Sequence, residues 1–171
     1  MSQFSQRLIF GEKDVLLQDS EGRQIKTFQK SDFLTGGGWY NVTEPLVNRF
    51  SKRLVIKINA PIEVYLNFKA EINANVKGAT ANACARGAIA NANVKGTMAN
   101  ACASDAIANA NAPGARANAI ARDAIANANV SGAMANANTW CAIANANARY
   151  AIANAKDRDT TANANDRDAT A

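Results

Sequence analysis

Asparagine recurs at a strict interval of nine residues throughout residues 72–171. Cutting the chain in phase with it gives eleven nonapeptides from Ile72 to Thr170, with position one at Ile72. Position two is asparagine and position three is alanine in all eleven, and position one is alanine in ten. A fixed period indicates a repeat architecture in which each unit packs against its neighbours. The asparagines are Asn73, Asn82, Asn91, Asn100, Asn109, Asn118, Asn127, Asn136, Asn145, Asn154 and Asn163.

A second period of 18 residues lies within the first. Position four alternates between asparagine and another residue, as in Asn75, Cys84, Asn93 and Cys102, and position five alternates between valine and alanine over the same stretch. The blocks NANVKG and NACARG are therefore two unlike halves of one unit. The alternation becomes irregular from NANTWC onward, near Trp140.

The residue pattern within each nonapeptide favours a strand over a helix. Alanine is a strong helix former, but each nonapeptide also carries asparagine, often followed by glycine, proline or aspartate, which disfavour a helix. From position eight to position five, the residue types alternate with period two, which is the strand signal. The tripeptides that follow, such as Val-Lys-Gly and Ala-Pro-Gly, are typical of turns. The sequence therefore predicts an all-β fold, a thin β-solenoid with two short strands and two turns per coil, about 26 Å long at the usual strand spacing.

Two faces of these strands compete for the interior of the solenoid. Positions eight, one, three and five are nearly all alanine, and this uniform size favours the interior, whereas Arg116 and Lys156 in the other set suit solvent. The alternative interior holds positions nine, two and four, with a column of isoleucines and the stacked Cys84 and Cys102. We favour the alanine interior and keep the second arrangement open. In either arrangement the stacked asparagines can form amide ladders between coils.

The N-terminal part of the chain has an ordinary composition and predicts a β-rich cap. Arg7–Phe10 and Asp14–Gln18 have the pattern of strands, and Ile25–Phe28 returns after a polar turn. The end of this part alternates in phase into the first nonapeptide, so we expect it to add strands to the sheets of the solenoid. Such a cap covers a sheet edge that would otherwise invite association. We therefore divide the chain into a capping region, 1–71, and a nonapeptide-repeat solenoid, 72–171.

Composition limits the chemistry that the chain can perform. It has no histidine, the commonest general base and a frequent metal ligand, so we predict no catalytic residue, no metal site and no cofactor, and hence no enzyme. Three cysteines, an odd number, and the absence of a recognisable signal peptide predict reduced thiols in a cytoplasmic protein. The sequence contains no apolar run of about 18 residues, so it predicts no membrane-spanning helix. For Cys84 and Cys102, we prefer stacked packing thiols to a metal site or a redox pair.

Two sets of residues are candidates for binding a partner. Trp140, Arg149 and Tyr150, where the repeat is irregular, and the aromatic pair Trp39 and Tyr40 are candidate contacts for a protein. Flat solenoid faces and an open sheet edge also predict a homo-oligomer. Cations in the turns would line up in stripes that could follow phosphate groups, which makes nucleic acid an alternative partner. These candidate phosphate contacts are Lys77, Lys95, Arg86 and Arg122.

The layout of the chain resembles a loosely defined group of phage-encoded repeat proteins. The shared features are a small N-terminal region, the segment GGWYNVTEPLVN at Gly37–Asn48, and tandem nonapeptides rich in alanine and asparagine. The chain departs from that group in lacking a regular aromatic–arginine element, to which only Ala148–Tyr150 is similar. The resemblance implies a phage protein acting in the host cytoplasm, and it supplies no catalytic residues.

Our leading hypothesis is a non-enzymatic protein that uses a rigid repeat surface to bind or sequester a host or defence protein. One alternative is a nucleic-acid-binding module that uses the turn cations. The other is a structural component of the virion, such as a spike or decoration protein.

Overall fold

The computed structural model describes residues 5–19, 21–34, 40–42, 53–67 and 69–171. The strands before the nonapeptides are β1 (Ser5–Phe10), β2 (Asp14–Gln18), β3 (Gln24–Gln29), β4 (Tyr40–Val42), β5 (Arg53–Ile58) and β6 (Glu63–Leu66). The strands that follow are β7 (Glu71–Ala74), β8 (Thr80–Ala83), β9 (Ile89–Ala92), β10 (Met98–Ala101), β11 (Ile107–Ala110), β12 (Arg116–Ala119), β13 (Ile125–Ala128), β14 (Met134–Ala137), β15 (Ile143–Ala146), β16 (Ile152–Ala155) and β17 (Thr161–Ala164). A single turn of 3₁₀ helix, Lys30–Phe33, follows β3.

The strands form two sheets that enclose the interior of a solenoid. Sheet 1 has the order β17-β15-β13-β11-β9-β7-β5-β1-β2-β3, and sheet 2 has the order β16-β14-β12-β10-β8-β6-β4. From β4 onward, successive strands alternate between the sheets, and each pairs parallel with the strand one coil away. In the repeats the register is 18 residues, as in the row Ala90, Ala108 and Ala126. The predicted all-β solenoid is confirmed, with two strands and two turns in each coil of 18 residues and about six coils.

Alanines line the interior of the repeat coils. Positions eight, one and three point inward, and every alanine at these positions from Ala79 to Ala146 is at most 1% exposed. The favoured alanine interior is therefore confirmed, and the alternative is excluded because Ile107 and Cys102 lie on the outside and are partly exposed. The prediction holds only in part for position five: Ala112 is buried and Ala85 packs against the core, whereas Val76 is only partly buried. Position five is the first residue of the turn, so it lies at the margin of the interior.

Each turn is set by the residue at position seven. Position eight donates its N–H to the carbonyl of position five, as in the 3.0 Å bond from Ala115 to Ala112. Position seven has a positive φ, between 57° and 86°, in all eleven nonapeptides. A positive φ at the third residue of a four-residue turn is the mark of a type II turn, which also favours proline at the second residue. The sequence Ala-Pro-Gly-Ala ending at Ala115 meets both requirements, and aspartate replaces glycine where it tolerates the left-handed conformation.

The capping region is continuous with the solenoid rather than separate from it. Strand β1 pairs parallel with β5, and the antiparallel strands β2 and β3 extend sheet 1 further. Strands β5 and β6 already stack on β7 and β8, so the predicted continuation of the sheets across Ile72 is confirmed. Their inward side chains are large, and Ile56, Ile58, Val64 and Leu66 are fully buried.

A cluster of aromatic rings closes the N-terminal end of the interior. Phe33, from the 3₁₀ helix, packs edge-on against Phe10 at 5.2 Å and against Phe28 at 5.3 Å between ring centroids. The ring centroid of Tyr40 lies 6.1 Å from that of Phe10.

Among the described residues, there is no helix with the length and apolar character needed to cross a membrane.

Candidate interaction surfaces

The position-two asparagines form one amide ladder on each sheet. In sheet 1, Nδ2 of Asn109 donates to Oδ1 of Asn91 at 2.8 Å, and Nδ2 of Asn127 donates to Oδ1 of Asn109 at 2.9 Å. In sheet 2, Asn118 donates to Asn100 at 2.7 Å in the same way. All eleven predicted asparagines belong to these two ladders. Within each ladder, an amide is therefore held in place by the coils on both sides of it, and the last amide by one coil.

A third ladder runs along sheet 1 at position four. Nδ2 of Asn111 donates to Oδ1 of Asn93, and Asn129 donates to Asn111, at 3.0 and 2.9 Å. The ladder runs from Asn75 to Asn165, and it lies closer to solvent than the position-two ladders. The predicted ladder residues did not include this column, although the sequence carries its signal, an asparagine every 18 residues at position four.

The outer side of four consecutive sheet 1 strands has no charged residue. We call this patch the asparagine–isoleucine face; each of its rows holds one isoleucine at position nine and two asparagines at positions two and four. Rows lie about 4.8 Å apart, and outward positions along a strand lie about 6.8 Å apart. The patch is thus a regular flat lattice with an apolar column beside two amide columns. Its rows are Ile89, Asn91 and Asn93; Ile107, Asn109 and Asn111; Ile125, Asn127 and Asn129; and Ile143, Asn145 and Asn147.

The outer side of sheet 2 is irregular and carries charge. Its position-nine column includes Arg116, and its position-four column ends in Lys156. At the N-terminal end of this side, the carboxylate of Glu63 accepts hydrogen bonds from the Tyr65 hydroxyl at 2.9 Å and from Asn82 Nδ2 at 3.1 Å. Burial, together with the bond to Glu63, raises the pKa of Tyr65 to about 12. The two outer sides therefore differ in both order and charge.

The predicted aromatic contacts do not form one cluster. Trp140 lies in the turn from β14 to β15 and Tyr150 in the turn from β15 to β16, and successive turns lie at opposite edges of the solenoid. Each side chain is 56% exposed. The Arg149 guanidinium lies 4.7 Å from the centre of the Tyr150 ring, and its Nε is 3.0 Å from Asp168 Oδ2. The two aromatic residues flank strand β15, which carries the last row of the asparagine–isoleucine face.

Of the N-terminal aromatic pair, the structure describes Tyr40 only. The ring of Tyr40 is partly buried in the aromatic cluster, so packing accounts for it. Trp39 lies outside the described residues, as does most of the segment Gly37–Asn48 that carries the resemblance to phage proteins.

The predicted turn cations lie on two edges with different surroundings. The lysine edge consists of the turns that follow sheet 1 strands and contains Lys77 and Lys95, both exposed. The stem of Lys77 lies against the next turn on this edge, so that a methyl group added to Gly96 would be 3.2 Å from Lys77 Cγ. The arginine edge consists of the turns that follow sheet 2 strands and contains Arg86 and Arg122.

Aspartates accompany the cations of the arginine edge. Arg86 Nε lies 2.6 Å from Asp105 Oδ2 in the next coil, and Arg122 Nε lies 3.5 Å from Asp123 Oδ2. Asp105 and Asp123, which already interrupt this stripe of cations in the sequence, offset much of its positive charge. The contact from Arg86 to Asp105 joins position six to position seven one coil later, a spacing of 19 residues that our sequence analysis did not use.

The cysteines lie on the outside of the solenoid. Cys84 and Cys102 follow β8 and β10 in one column of sheet 2, and Cys141 lies in a turn of the arginine edge; all three are free thiols and partly exposed. In the part of the chain that the structure describes, no three histidine, cysteine, aspartate or glutamate residues are grouped so that they could hold a metal ion.

Fold and surface together define a β-solenoid repeat protein. Comparison of the chain with protein-family profiles, with curated proteins and with solved structures found no significant match.

Proposed function

We propose that this chain is a non-enzymatic binding protein that presents the asparagine–isoleucine face to a protein partner. The observation that carries the proposal is the regularity of that face, which is flat and free of charged residues over four coils. Depletion of charge is typical of the buried centre of a protein–protein interface. The isoleucine column supplies apolar area, and the amide columns retain hydrogen-bonding atoms at the surface.

The ladders favour binding because they hold the side chains in place before a partner arrives. Each interior row of the face has amides bonded to the coils above and below, as Asn127 is bonded to Asn109 and Asn145. Ordering free side chains at an interface costs about 0.5–1.5 kcal/mol each, and a preformed array avoids much of that cost. A flat partner surface, such as another β-sheet, therefore suits this face.

The size of the face indicates that the contact extends beyond it. Four strands and three outward positions span roughly 400 Å², whereas a stable interface covers about 800 Å² on each partner. Trp140 and Tyr150 flank the last row and are exposed, so they are the residues that extend the contact. Tryptophan and tyrosine are among the residue types that most often contribute strongly to binding, which they do where the contact extends over them and buries them.

The expected partner is a host protein. This expectation rests on the resemblance of the chain to phage-encoded repeat proteins, and sequestration is the simplest effect of a rigid binder. A second copy of the chain is a further partner for the same face, because a flat face can pair with itself around a two-fold axis.

The test uses two arginine substitutions at equivalent positions. Ile125→Arg places a charge in the asparagine–isoleucine face, and Met134→Arg places the same charge on sheet 2, where Arg116 already occupies the column. The tagged full-length chain is used to isolate a partner from host cells, and affinity is then measured with the purified partner. We expect Ile125→Arg to weaken binding by about tenfold or more and Met134→Arg to leave it unchanged. Equal affinity for both variants would contradict the proposal.

Light scattering of the wild type, Ile125→Arg and Met134→Arg tests self-association. A dimer that dissociates only in Ile125→Arg identifies a second copy as the occupant of the face, whereas a monomer in all three leaves the host protein as the partner.

Nucleic acid is the second candidate partner, favoured by one observation. Lys77 and Lys95 are exposed in successive turns of the lysine edge, and no described carboxylate forms an ion pair with either. Binding of this kind weakens steeply with salt because counterions are released. Replacing both lysines with alanine should abolish nucleic-acid binding and leave protein binding intact. Affinity for nucleic acid that does not depend on salt or on these lysines would exclude this alternative.

A further inference from the structure

Cys84 and Cys102 occupy equivalent places in neighbouring coils of sheet 2. Ala83 and Ala101, which precede them, pair directly in the parallel ladder between β8 and β10. The ladder continues through the cysteines, because Cys102 N–H donates to the Ala83 carbonyl at 2.8 Å and Cys84 N–H donates to the Leu66 carbonyl at 2.8 Å. Both side chains lie on the outer side of the sheet and are partly exposed. The two thiols are thus neighbours that reagents can reach.

The spacing of the two residues suits a covalent bond between them. Residues in register on adjacent parallel strands have Cα atoms about 4.8 Å apart, and disulfides form at Cα separations of about 4.4–6.8 Å. Both cysteines lie where a strand passes into a turn, so small adjustments there disturb few ladder bonds. Cys141 follows β14, two strands from β10 in sheet 2, which is about 10 Å of stacking and too far to compete for either thiol.

The thiols also differ from each other in acidity. The hydrogen bond with Cys102 raises the pKa of Cys84, and burial adds to this effect. The same hydrogen bond lowers the pKa of Cys102, against the opposing effects of burial and of the Glu63 carboxylate. Cys102 is therefore the thiol that loses its proton more readily, which suits it to attack an oxidant while Cys84 resolves the mixed disulfide.

We propose that Cys84 and Cys102 form a reversible disulfide that joins two neighbouring coils when the protein meets a small-molecule disulfide such as oxidised glutathione. Cys102 loses its proton to solvent, and its sulfur then attacks one sulfur of the oxidant and forms a mixed disulfide, releasing one glutathione thiolate. Cys84 then loses its proton to solvent and attacks Cys102 Sγ, forming the protein disulfide and releasing the second thiolate. The protein loses two electrons and two protons, and one oxidised glutathione becomes two reduced molecules.

The bond would stabilise the coils that it joins. It closes a loop of 18 residues, which restricts the unfolded chain, and a loop of this length corresponds to a rise in melting temperature on the order of 5–10 °C. This inference does not depend on the proposed partner, because it concerns sheet 2 and not the asparagine–isoleucine face.

The test equilibrates the full-length protein in buffers of defined reduced and oxidised glutathione and traps free thiols with a maleimide. We expect peptide mapping by mass spectrometry to find Cys84 linked to Cys102, Cys141 alkylated, and the link lost again on returning to reducing buffer. Cys141→Ser should behave like the wild type. Cys84→Ser should instead accumulate glutathione on Cys102, because no resolving thiol remains.

Two results would overturn the inference. One is a wild-type protein in which Cys84 and Cys102 both remain alkylatable, or both carry glutathione, under oxidising conditions. The other is a linked protein with an unchanged melting temperature, which would show that the bond does not hold the coils together. A circular dichroism spectrum of Cys84→Ser that matches the wild type verifies that the variant is folded.

Discussion

The two ends of the solenoid share the same pair of sheets but have interiors of different kinds. Near the N-terminus, the space between the sheets is filled by branched side chains such as Ile56 and Leu66, whereas in the later coils it is filled by alanine. Burying a large aliphatic side chain stabilises a fold by about 1.5–3 kcal/mol, and an alanine methyl contributes about 0.8 kcal/mol. The first coils therefore depend on hydrophobic burial, and the later coils depend more on backbone and asparagine ladders.

The alanine coils depend on strict repetition because their interior is small. With little apolar area per residue, each coil gains its stability from matching the coil on either side, as expected for a structure held by nearest-neighbour contacts. A substitution that disturbs one coil therefore weakens its contacts with both neighbouring coils. The branched interior near the cap supplies the apolar area that the alanine coils lack.

The largest expected effect comes from removing a branched side chain near the cap. Ile56→Ala should lower the free energy of unfolding by about 2–5 kcal/mol, because a fully buried side chain leaves a cavity. Ala90→Gly, at an equally buried place in an alanine coil, should lose about 1–2 kcal/mol. Urea denaturation measures both, and equal losses would remove the distinction between the two interiors.

Enlarging an alanine tests how tightly the later coils are packed. Ala126→Leu should destabilise the protein by about 1–3 kcal/mol, since the interior at that residue has no room for three more carbons. Ile125→Val, the neighbouring residue on the outer side, should cost less than about 1 kcal/mol. Thermal unfolding compares the two variants, and tolerance of leucine at position 126 would mean that the sheets are not closely packed there.

Interrupting a ladder tests the second source of stability. Asn127→Ala leaves Asn109 without a donor and Asn145 without an acceptor, which should cost about 1–2 kcal/mol. Asn129→Ala breaks the exposed ladder at the same coil and should cost less, because water replaces the lost bonds. The ratio of the two losses, measured by chemical denaturation, reports how much the partly buried ladder contributes. A larger loss for Asn129→Ala would contradict this ranking.

The turns of the later coils hold residues in a strained conformation. Cys141 has φ 57°, so Cys141→Gly should stabilise the protein by about 1 kcal/mol. Gly132→Ala is the reverse experiment: nothing lies within 4 Å of the added methyl, so backbone strain alone should cost about 1 kcal/mol. Opposite shifts in melting temperature are expected, and shifts of the same sign would show that neighbouring coils, not φ, decide the preference at position seven.

The smallest expected effect on stability is a pH dependence that arises from Tyr65, on the outer side of the first coils. The pKa of Tyr65 is raised to about 12, so the folded state holds its proton more tightly than the unfolded state. The associated stability is complete below pH 10 and is lost as the pH rises from about 10 to about 12. Tyr65→Phe should remove this component, which denaturation at pH 9 and pH 11 can detect. The same pH dependence in wild type and variant would assign it to other groups.

Much of the fold was predictable because the repeat is nearly exact. The nine-residue spacing of asparagine and its 18-residue alternation determined the coil, the strand pattern and the ladders, and uniform alanine at positions eight, one and three indicated the interior. The interior position of residue five is confirmed only in part, because it is also the first residue of the turn: Ala112 is buried, but Val76 is only partly buried. The asparagine–isoleucine face was harder to predict from the sequence, since it depends on which side chains of neighbouring coils point outward together.

The coil length, the turn positions, the small interior and the stacking of Cys84 on Cys102 could be predicted from the sequence, because they follow from local spacing and residue volume. The structure was needed to show that Trp140 and Tyr150 lie at opposite edges, that Arg86 pairs with Asp105 in the next coil, and that both cysteines lie on the outside. These relations depend on how side chains of neighbouring coils are oriented toward one another and toward solvent. That orientation is fixed only when the coils stack.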